Sequence, residues 1–208
     1  MNQDASEKFG FVHRFIPAEA NGRAPLLLLH GTGGNESDLI PLGLQLSPGA
    51  ALLSPRGKVS ENGMPRFFKR RAEGVFDIED LNARTEELGH FLNAAREHYG
   101  LAKPIAVGFS NGANIAWSLL LNRPEMLSGA ILIRGMMPFD PVHKVRLDGV
   151  PVLILSGSDD PIVPAETRDR LERILRDARA DVRYEILPAD HQLTRQDLSI
   201  ATEWLAQR

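Results

Sequence analysis

The stretch Val107-Gly108-Phe109-Ser110-Asn111-Gly112-Ala113 decides the fold of this chain. It has the form Gly-x-Ser-x-Gly, follows the apolar residues Ile105 and Ala106, and leads into a helical pattern rich in Gly and Ala. This order predicts a nucleophile elbow, a sharp strand-to-helix turn that lifts the Ser110 hydroxyl clear of a sheet. Glycine suits both flanking positions because strand and helix crowd together there. The alternative is a turn of small residues in which the serine has no role, but the strand before it and the helix after it favour the elbow.

Length and composition limit the class of protein. The 208 residues fit one domain spanning 1–208, and 43% hydrophobic and 25% charged residues are typical of a globular chain. The net charge of −3 disfavours nucleic acid and anionic membranes as partners. There is no cysteine, which excludes disulfides, thiolate metal sites and a cysteine nucleophile. The polar residues 1–8 lack a signal-peptide core and no window has the roughly 18 apolar residues of a membrane span, so we expect a cytoplasmic protein without stable membrane insertion.

Predicted strands and helices alternate along the chain. Apolar runs typical of buried strands cover 25–29, 50–54, 105–107, 129–133 and 151–156. Residues 182–187 are predicted as the last strand, and a weaker alternation predicts an edge strand at 11–16. Helical periodicity covers 39–46, 77–99, 111–122, 165–178 and 194–206. Ser37 or Asp38 is the candidate cap of the first helix, and Asp77 with Asp80 resembles a capping box for the second, which Gly100 ends. The alternation predicts an α/β fold, a mostly parallel sheet with helices on both faces.

Two connections bear on function. Residues 55–77 show little regular patterning, and a stretch of this length inside a compact domain is usually functional. Its Phe67 and Phe68 either pack the segment onto the body of the protein or line a substrate pocket, and both roles are compatible. Between the strands at 129–133 and 151–156 there is no room for a helical cap domain.

A constellation of catalytic type follows the predicted strand ends. A serine nucleophile needs a base and a group that orients the base, and the carboxyl ends of parallel strands meet at one edge of a sheet. The candidates there are Ser110, the pair Asp159 and Asp160, and His191, in the chain order of the α/β-hydrolases. Alone, the aspartates would indicate a turn and the histidine a solvated loop. Pro161 restricts the backbone of Asp160, which favours this aspartate as the orienting acid.

Four motifs together resemble the bacterial phospholipase/carboxylesterase family, which also contains the acyl-protein thioesterases. They are Leu29-His30-Gly31-Thr32-Gly33-Gly34, Gly108-Phe109-Ser110-Asn111-Gly112, Gly157-Ser158-Asp159-Asp160-Pro161-Ile162-Val163-Pro164 and Asp190-His191. The resemblance runs from about Phe11 to the C-terminus and is strongest to a branch with a loop like Pro65-Arg66-Phe67-Phe68. It implies the α/β-hydrolase fold in a minimal form without a cap domain.

The same resemblance implies roles for individual residues. Ser110 corresponds to the nucleophile, Asp160 to the orienting acid and His191 to the base. The backbone N–H groups of Thr32 and Asn111 correspond to the oxyanion hole, and His30 to a structural residue. Arg134 stands where the family often has a small residue, so we expect the pocket wall to differ there.

These observations predict a serine carboxylesterase that hydrolyses small or medium acyl esters through an acyl-enzyme. Thioesters and lysophospholipids are further candidate substrates, and Phe67, Phe68 and Met136 are the candidate pocket walls. The expected partner is a small-molecule ester, with no metal and no organic cofactor, and a homodimer is left open. The alternatives are a non-catalytic small-molecule binding protein on the hydrolase fold and an amidase or peptidase that uses the same triad.

Overall fold

The structure is a computed structural model, and it describes residues 6–19, 22–137, 139–140 and 145–208. Its centre is an eight-stranded sheet with the order β1-β2-β4-β3-β9-β10-β11-β12. These strands are β1 Ser6–Lys8, β2 Phe11–Ile16, β3 Leu26–Leu29, β4 Leu52–Pro55, β9 Ile105–Phe109, β10 Gly129–Ile133, β11 Pro151–Gly157 and β12 Asp181–Leu187. All pairs from β4 to β12 are parallel, while β2 is antiparallel to both of its neighbours.

Helices cover both faces of this sheet. They are α1 Ile40–Leu46, α2 Ile78–Tyr99, α3 Asn111–Asn122, α4 Ala165–Asp177 and α5 Arg195–Leu205. Side chains of α1 and α5 join one apolar cluster, and those of α2, α3 and α4 join the other. This arrangement matches the α/β-hydrolase fold and confirms the predicted fold class.

Strand β3 shows how the sequence specifies two apolar faces. Leu26 and Leu28 belong to the cluster beneath α1 and α5, whereas Leu27 and Leu29 belong to the opposite cluster. Successive side chains of a strand point to opposite faces, so a strand covered on both sides must be apolar at every position. Its carboxyl end leads directly into the His30–Gly34 loop at the edge of the sheet that carries the candidate site.

The strand predicted at 11–16 is present, but its predicted position at the edge of the sheet is wrong. Strand β1 pairs with β2 from outside and takes the edge position. The two are joined by Phe9 and Gly10, both at positive φ (55° and 81°), the conformation of a tight type I′ hairpin turn. The usual sequence signal for such a turn is Asn-Gly or Asp-Gly, and Phe9-Gly10 does not carry it.

Residues 55–77 are also more regular than the sequence pattern indicates. They form two small hairpins, β5 Val59–Glu61 with β6 Met64–Arg66, and β7 Arg70–Ala72 with β8 Val75–Phe76. Asn62 and Gly63 turn the first at positive φ and are the strongest short-range hairpin signal in the segment. The strands are too short and polar to show an alternating pattern.

The helix-end predictions hold in part. Neither Ser37 nor Asp38 caps α1, whose N-cap is Leu39 without a side-chain hydrogen bond. Asp77 caps α2 by accepting from the Asp80 N–H at 3.1 Å, but the Asp80 carboxylate accepts from the Lys69 N–H, so the reciprocal half of the box is missing. Gly100 ends α2 in the left-handed conformation, as expected. Within the described residues, no helix is both long and apolar enough to cross a membrane.

Candidate active site

The elbow has the strained geometry that its sequence predicts. Ser110 adopts φ 53° and ψ −114°, a conformation that side-chain-bearing residues rarely occupy. Its N–H donates to the carbonyl of Ile133 at 2.8 Å, which ties the turn to the neighbouring strand β10. A Cβ on Gly108 would lie 2.5 Å from the Gly112 carbonyl oxygen, and one on Gly112 would lie 1.9 Å from that of Leu29. Glycine at both positions is therefore a steric requirement of this turn.

A continuous chain of hydrogen bonds joins Ser110, His191 and Asp160. Ser110 Oγ lies 2.9 Å from His191 Nε2, and His191 Nδ1 lies 2.8 Å from Asp160 Oδ2. The other carboxylate oxygen, Oδ1, accepts from the backbone N–H groups of Ile162 at 2.8 Å and Val163 at 3.1 Å. Because the carboxylate accepts, Nδ1 carries the imidazole proton and the Nε2 lone pair faces the serine hydroxyl. This is the tautomer that a general base for Ser110 requires.

The two adjacent aspartates have different surroundings. The Asp160 side chain is 1% exposed beneath the imidazole, whereas Asp159 is exposed and accepts from the Ser158 hydroxyl. The Asp159 backbone N–H donates to the carbonyl of Ala189 at 3.1 Å. Of the two aspartates, Asp160 is the one hydrogen-bonded to His191, and its role as the orienting acid stays a prediction.

The candidate oxyanion donors are the backbone N–H groups of Thr32, in the loop after β3, and of Asn111, at the start of α3. Asn111 is the first residue of α3, and the first N–H groups of a helix have no partner inside the helix. The Thr32 N–H donates no hydrogen bond within the described chain, while the next N–H, that of Gly33, donates to the Pro65 carbonyl at 2.9 Å. The Thr32 hydroxyl accepts from Arg66 Nη1 at 2.8 Å. Arg66 is itself buried, so the β5–β6 hairpin holds this loop from the side.

The buried histidines His13 and His30 are engaged in the fold. His30 accepts from the Gly57 N–H through Nε2 at 2.9 Å, and its Nδ1 lies 2.7 Å from the Gly31 carbonyl oxygen. His13 pairs through Nε2 with the Tyr99 hydroxyl. Burial lowers the pKa of both histidines below the usual value of 6.5, which favours their neutral form. Neither joins a cluster able to hold a metal ion, and the described residues contain no such cluster.

The candidate pocket walls are packed into the main apolar cluster. Phe67, Phe68 and Met136 are at most 5% exposed. The Phe67 N–H donates to the side-chain carbonyl of Asn111 at 2.8 Å, which brings the 55–77 segment against the elbow. The packing role considered for the phenylalanines is therefore present, and their contact with substrate stays a prediction.

Sequence reasoning missed the role of Arg134. Its side chain does not form a pocket wall: it is buried and ion-paired with Asp197 of α5 at 2.8 Å. It also reaches the backbone carbonyls of Asp190 and Gln192, on either side of His191. A charged residue at the end of the apolar run 129–133 was the available signal, because arginine is almost never fully buried without partners.

The sheet order, the elbow and the Ser-His-Asp geometry define the class as an α/β-hydrolase. The sequence profile of the Phospholipase/Carboxylesterase family matches residues 13–208. The chain therefore belongs to the phospholipase/carboxylesterase family, and it is a serine ester hydrolase.

Individual relatives agree with this assignment. The chain is 49% identical to the Bacillus subtilis protein MhqD over 181 residues, 86% of this chain and 90% of that protein. It superimposes on the crystal structure of the Bacillus cereus carboxylesterase with a TM-score of 0.92 and 43% identity, covering 95% of this chain and 94% of the other. The carboxylesterase from Mesorhizobium loti gives a TM-score of 0.94 at 31% identity and full coverage of both chains.

Proposed function

We propose that this hydrolase cleaves carboxylic esters with a small or medium acyl group through an acyl-enzyme on Ser110. The observation that carries the proposal is the hydrogen-bonded chain from Ser110 Oγ to His191 Nε2 at 2.9 Å and from His191 Nδ1 to Asp160 at 2.8 Å. A nucleophile and base within hydrogen-bond reach, with the base oriented by a third group, are the requirement for this chemistry.

Acylation begins when Ser110 Oγ attacks the ester carbonyl and its proton passes to Nε2 of His191. Asp160 holds the tautomer and stabilises the imidazolium that forms. The N–H groups of Thr32 and Asn111 receive the oxyanion, and each is expected to lower the barrier by about 3 kcal/mol. When the tetrahedral intermediate collapses, the ester C–O bond breaks and His191 gives its proton to the leaving alcohol.

Deacylation repeats these steps with water as the nucleophile. His191 takes a proton from the water, the hydroxyl adds to the acyl carbonyl, and the acid leaves as Ser110 regains its proton. The chemistry requires no metal ion or organic cofactor.

The test is Ser110→Ala with an activated ester as substrate. Removing the nucleophile is expected to lower kcat by about a million-fold with the fold intact. A fluorophosphonate should label the parent protein at Ser110 and leave the variant unlabelled. Activity of the variant within about tenfold of the parent would overturn the mechanism.

Substrate class is decided by a separate panel. Esters of increasing acyl length, a matched thioester series and a lysophospholipid are compared by kcat/KM on the same preparation. We expect preference for esters with up to roughly eight acyl carbons, because short loops without a cap domain enclose only a limited apolar volume. A higher kcat/KM for thioesters or the lysophospholipid would reassign the substrate and leave the mechanism unchanged.

A further inference from the structure

The guanidinium of Arg134 is fully buried and every one of its N–H groups has an acceptor. Its bonds within the described chain are Nε to the Asp190 carbonyl at 2.9 Å, Nη2 to the Gln192 carbonyl at 2.9 Å, Nη1 to the Leu155 carbonyl at 3.3 Å, and Nη1 and Nη2 to the two carboxylate oxygens of Asp197 at 2.8 and 2.9 Å. An arginine has five N–H donors, so none is left for a substrate. The side chain is 0% exposed and therefore works inside the protein.

Two of these acceptors flank the candidate base. His191 lies on the histidine loop, residues 188–194, which connects β12 to α5. The carbonyls of Asp190 and Gln192 are immediately before and after His191, and one rigid guanidinium holds both. Nε and Nη2 are fixed in one plane, so these bonds set the separation and direction of the two peptide groups that carry the imidazole.

The far side of the guanidinium is equally fixed. Asp197 pairs with Arg134 in a bidentate manner, and its Oδ2 also accepts from the N–H and hydroxyl of Thr194. Thr194 in turn caps α5 through the N–H of Asp197. The end of the histidine loop is therefore hydrogen-bonded to α5 through Thr194 and Asp197. Its middle is hydrogen-bonded to Arg134, which is itself ion-paired with Asp197 of the same helix.

An ion pair that served only stability would not need this geometry. Removing two charges from water is costly, and apolar replacements of a buried pair are often equally stable. A lysine could also neutralise Asp197, but its single ammonium cannot reproduce the planar arrangement of donors. What distinguishes arginine here is the pair of bonds to the carbonyls around His191.

We propose that Arg134 is a positioning residue that holds the His191 imidazole in line between Ser110 and Asp160. The inference rests on the proposed function, in which His191 is the base. Small displacements of a reacting group cost catalysis far more than they cost ground-state binding. Loss of Arg134 should therefore lower kcat while KM for an ester changes little.

The test compares Arg134→Met and Arg134→Lys with the parent. We expect kcat to fall about a hundred-fold in Arg134→Met and at least about tenfold in Arg134→Lys. The downfield proton resonance of the His191 Nδ1–H···Asp160 bond should broaden or shift in both. The matched control is Leu205→Ala, which removes a buried side chain at the end of α5 that lies away from the histidine loop. It should lower the unfolding midpoint and keep kcat within about twofold of the parent.

Two outcomes would overturn the proposed role of Arg134. A folded Arg134→Lys variant with the parent kcat and an unchanged resonance would overturn the inference, even if Arg134→Met does not fold. So would a loss of activity in Arg134→Met that the folded fraction fully accounts for. Ser110→Ala in the same assay separates the two claims: if it is active, the proposed function fails, and if it is inactive while the Arg134 variants are fully active, only the role of Arg134 fails.

Discussion

Replacing Asp160 with asparagine should reverse the proton arrangement of the candidate triad. Asp160 Oδ1 accepts from the N–H groups of Ile162 and Val163, at 2.8 and 3.1 Å. In Asp160→Asn these two donors require the amide oxygen at the Oδ1 position, so the amide NH2 must face His191 Nδ1. A donor at that place favours the imidazole with its proton on Nε2. That proton then points at Ser110 Oγ, and the base has no lone pair for the serine.

The size of the effect follows from the tautomer. A triad acid neutralised with its geometry kept costs about ten-thousand-fold in kcat, or about 5.5 kcal/mol of barrier. The fold should survive, because asparagine has nearly the same shape and keeps both bonds to the turn. Asp159→Asn is the matched control, since this neighbour is exposed and does not contact His191. It should cost less than about tenfold, because an exposed charge is well screened.

The assay is kcat on one activated ester, with the rate of fluorophosphonate labelling as a second measure of acylation. Thermal unfolding of both variants checks that each is folded. Comparable activity of Asp160→Asn and the parent would refute the tautomer argument. A larger loss in Asp159→Asn would show that the wrong carboxylate is assigned.

Two further predictions concern the fold. Gly112→Ala should destabilise the protein by about 3 kcal/mol or more, because its Cβ would lie 1.9 Å from the Leu29 carbonyl oxygen. The control Gly89→Ala, whose Cβ would have no neighbour nearer than 3.6 Å, should be neutral or stabilising, and equal urea midpoints for the two variants would contradict this prediction. Burial lowers the pKa of His13 and His30 below 6.5, so near that pH the unfolded chain binds more protons than the folded protein. The free energy of unfolding should therefore keep the full contribution of these histidines above pH 6.5 and should decrease as the pH falls below it. Each histidine should change the free energy of unfolding by up to about 1.4 kcal/mol per pH unit. A free energy of unfolding, measured by urea denaturation, that stays constant between about pH 5 and 7 would show that neither pKa is lowered.

The sequence specified most of the sheet because its signals are local. The leucines of β3 and the apolar run of β10 are continuous, which is the pattern of strands covered on both faces. The elbow is equally readable, because the strain at Ser110 requires glycine at fixed positions around it. Strand β1 and the hairpins of 55–77 were missed because their strands are too short and polar to show an alternating pattern, although Asn62-Gly63 is a turn signal that the sequence does carry.

The role of Arg134 could not be read in the same way. Its partners on the histidine loop are backbone carbonyls, which every residue possesses, so no side-chain identity marks them. The position of Asp197 gave no separate signal either, because an acidic residue in the first turn of a helix also fits a simple capping role. Arg134, at the end of β10, and the histidine loop after β12 are more than fifty residues apart in the sequence, and they come into contact only in the folded sheet.

The two contacts around His191 restrain different degrees of freedom. Asp160 fixes the rotation of the imidazole and its tautomer, but a carboxylate can do so only if the backbone that carries the ring is already in place. The loop has no regular secondary structure to hold it, so its backbone position depends on the partners that its carbonyls find elsewhere in the fold. Arg134 supplies donors to both flanking carbonyls, and Asp197 offsets the buried charge that this requires. In the proposed mechanism the Arg134–Asp197 pair supports the base, and Arg134→Lys should separate the effect on protein stability from the effect on kcat.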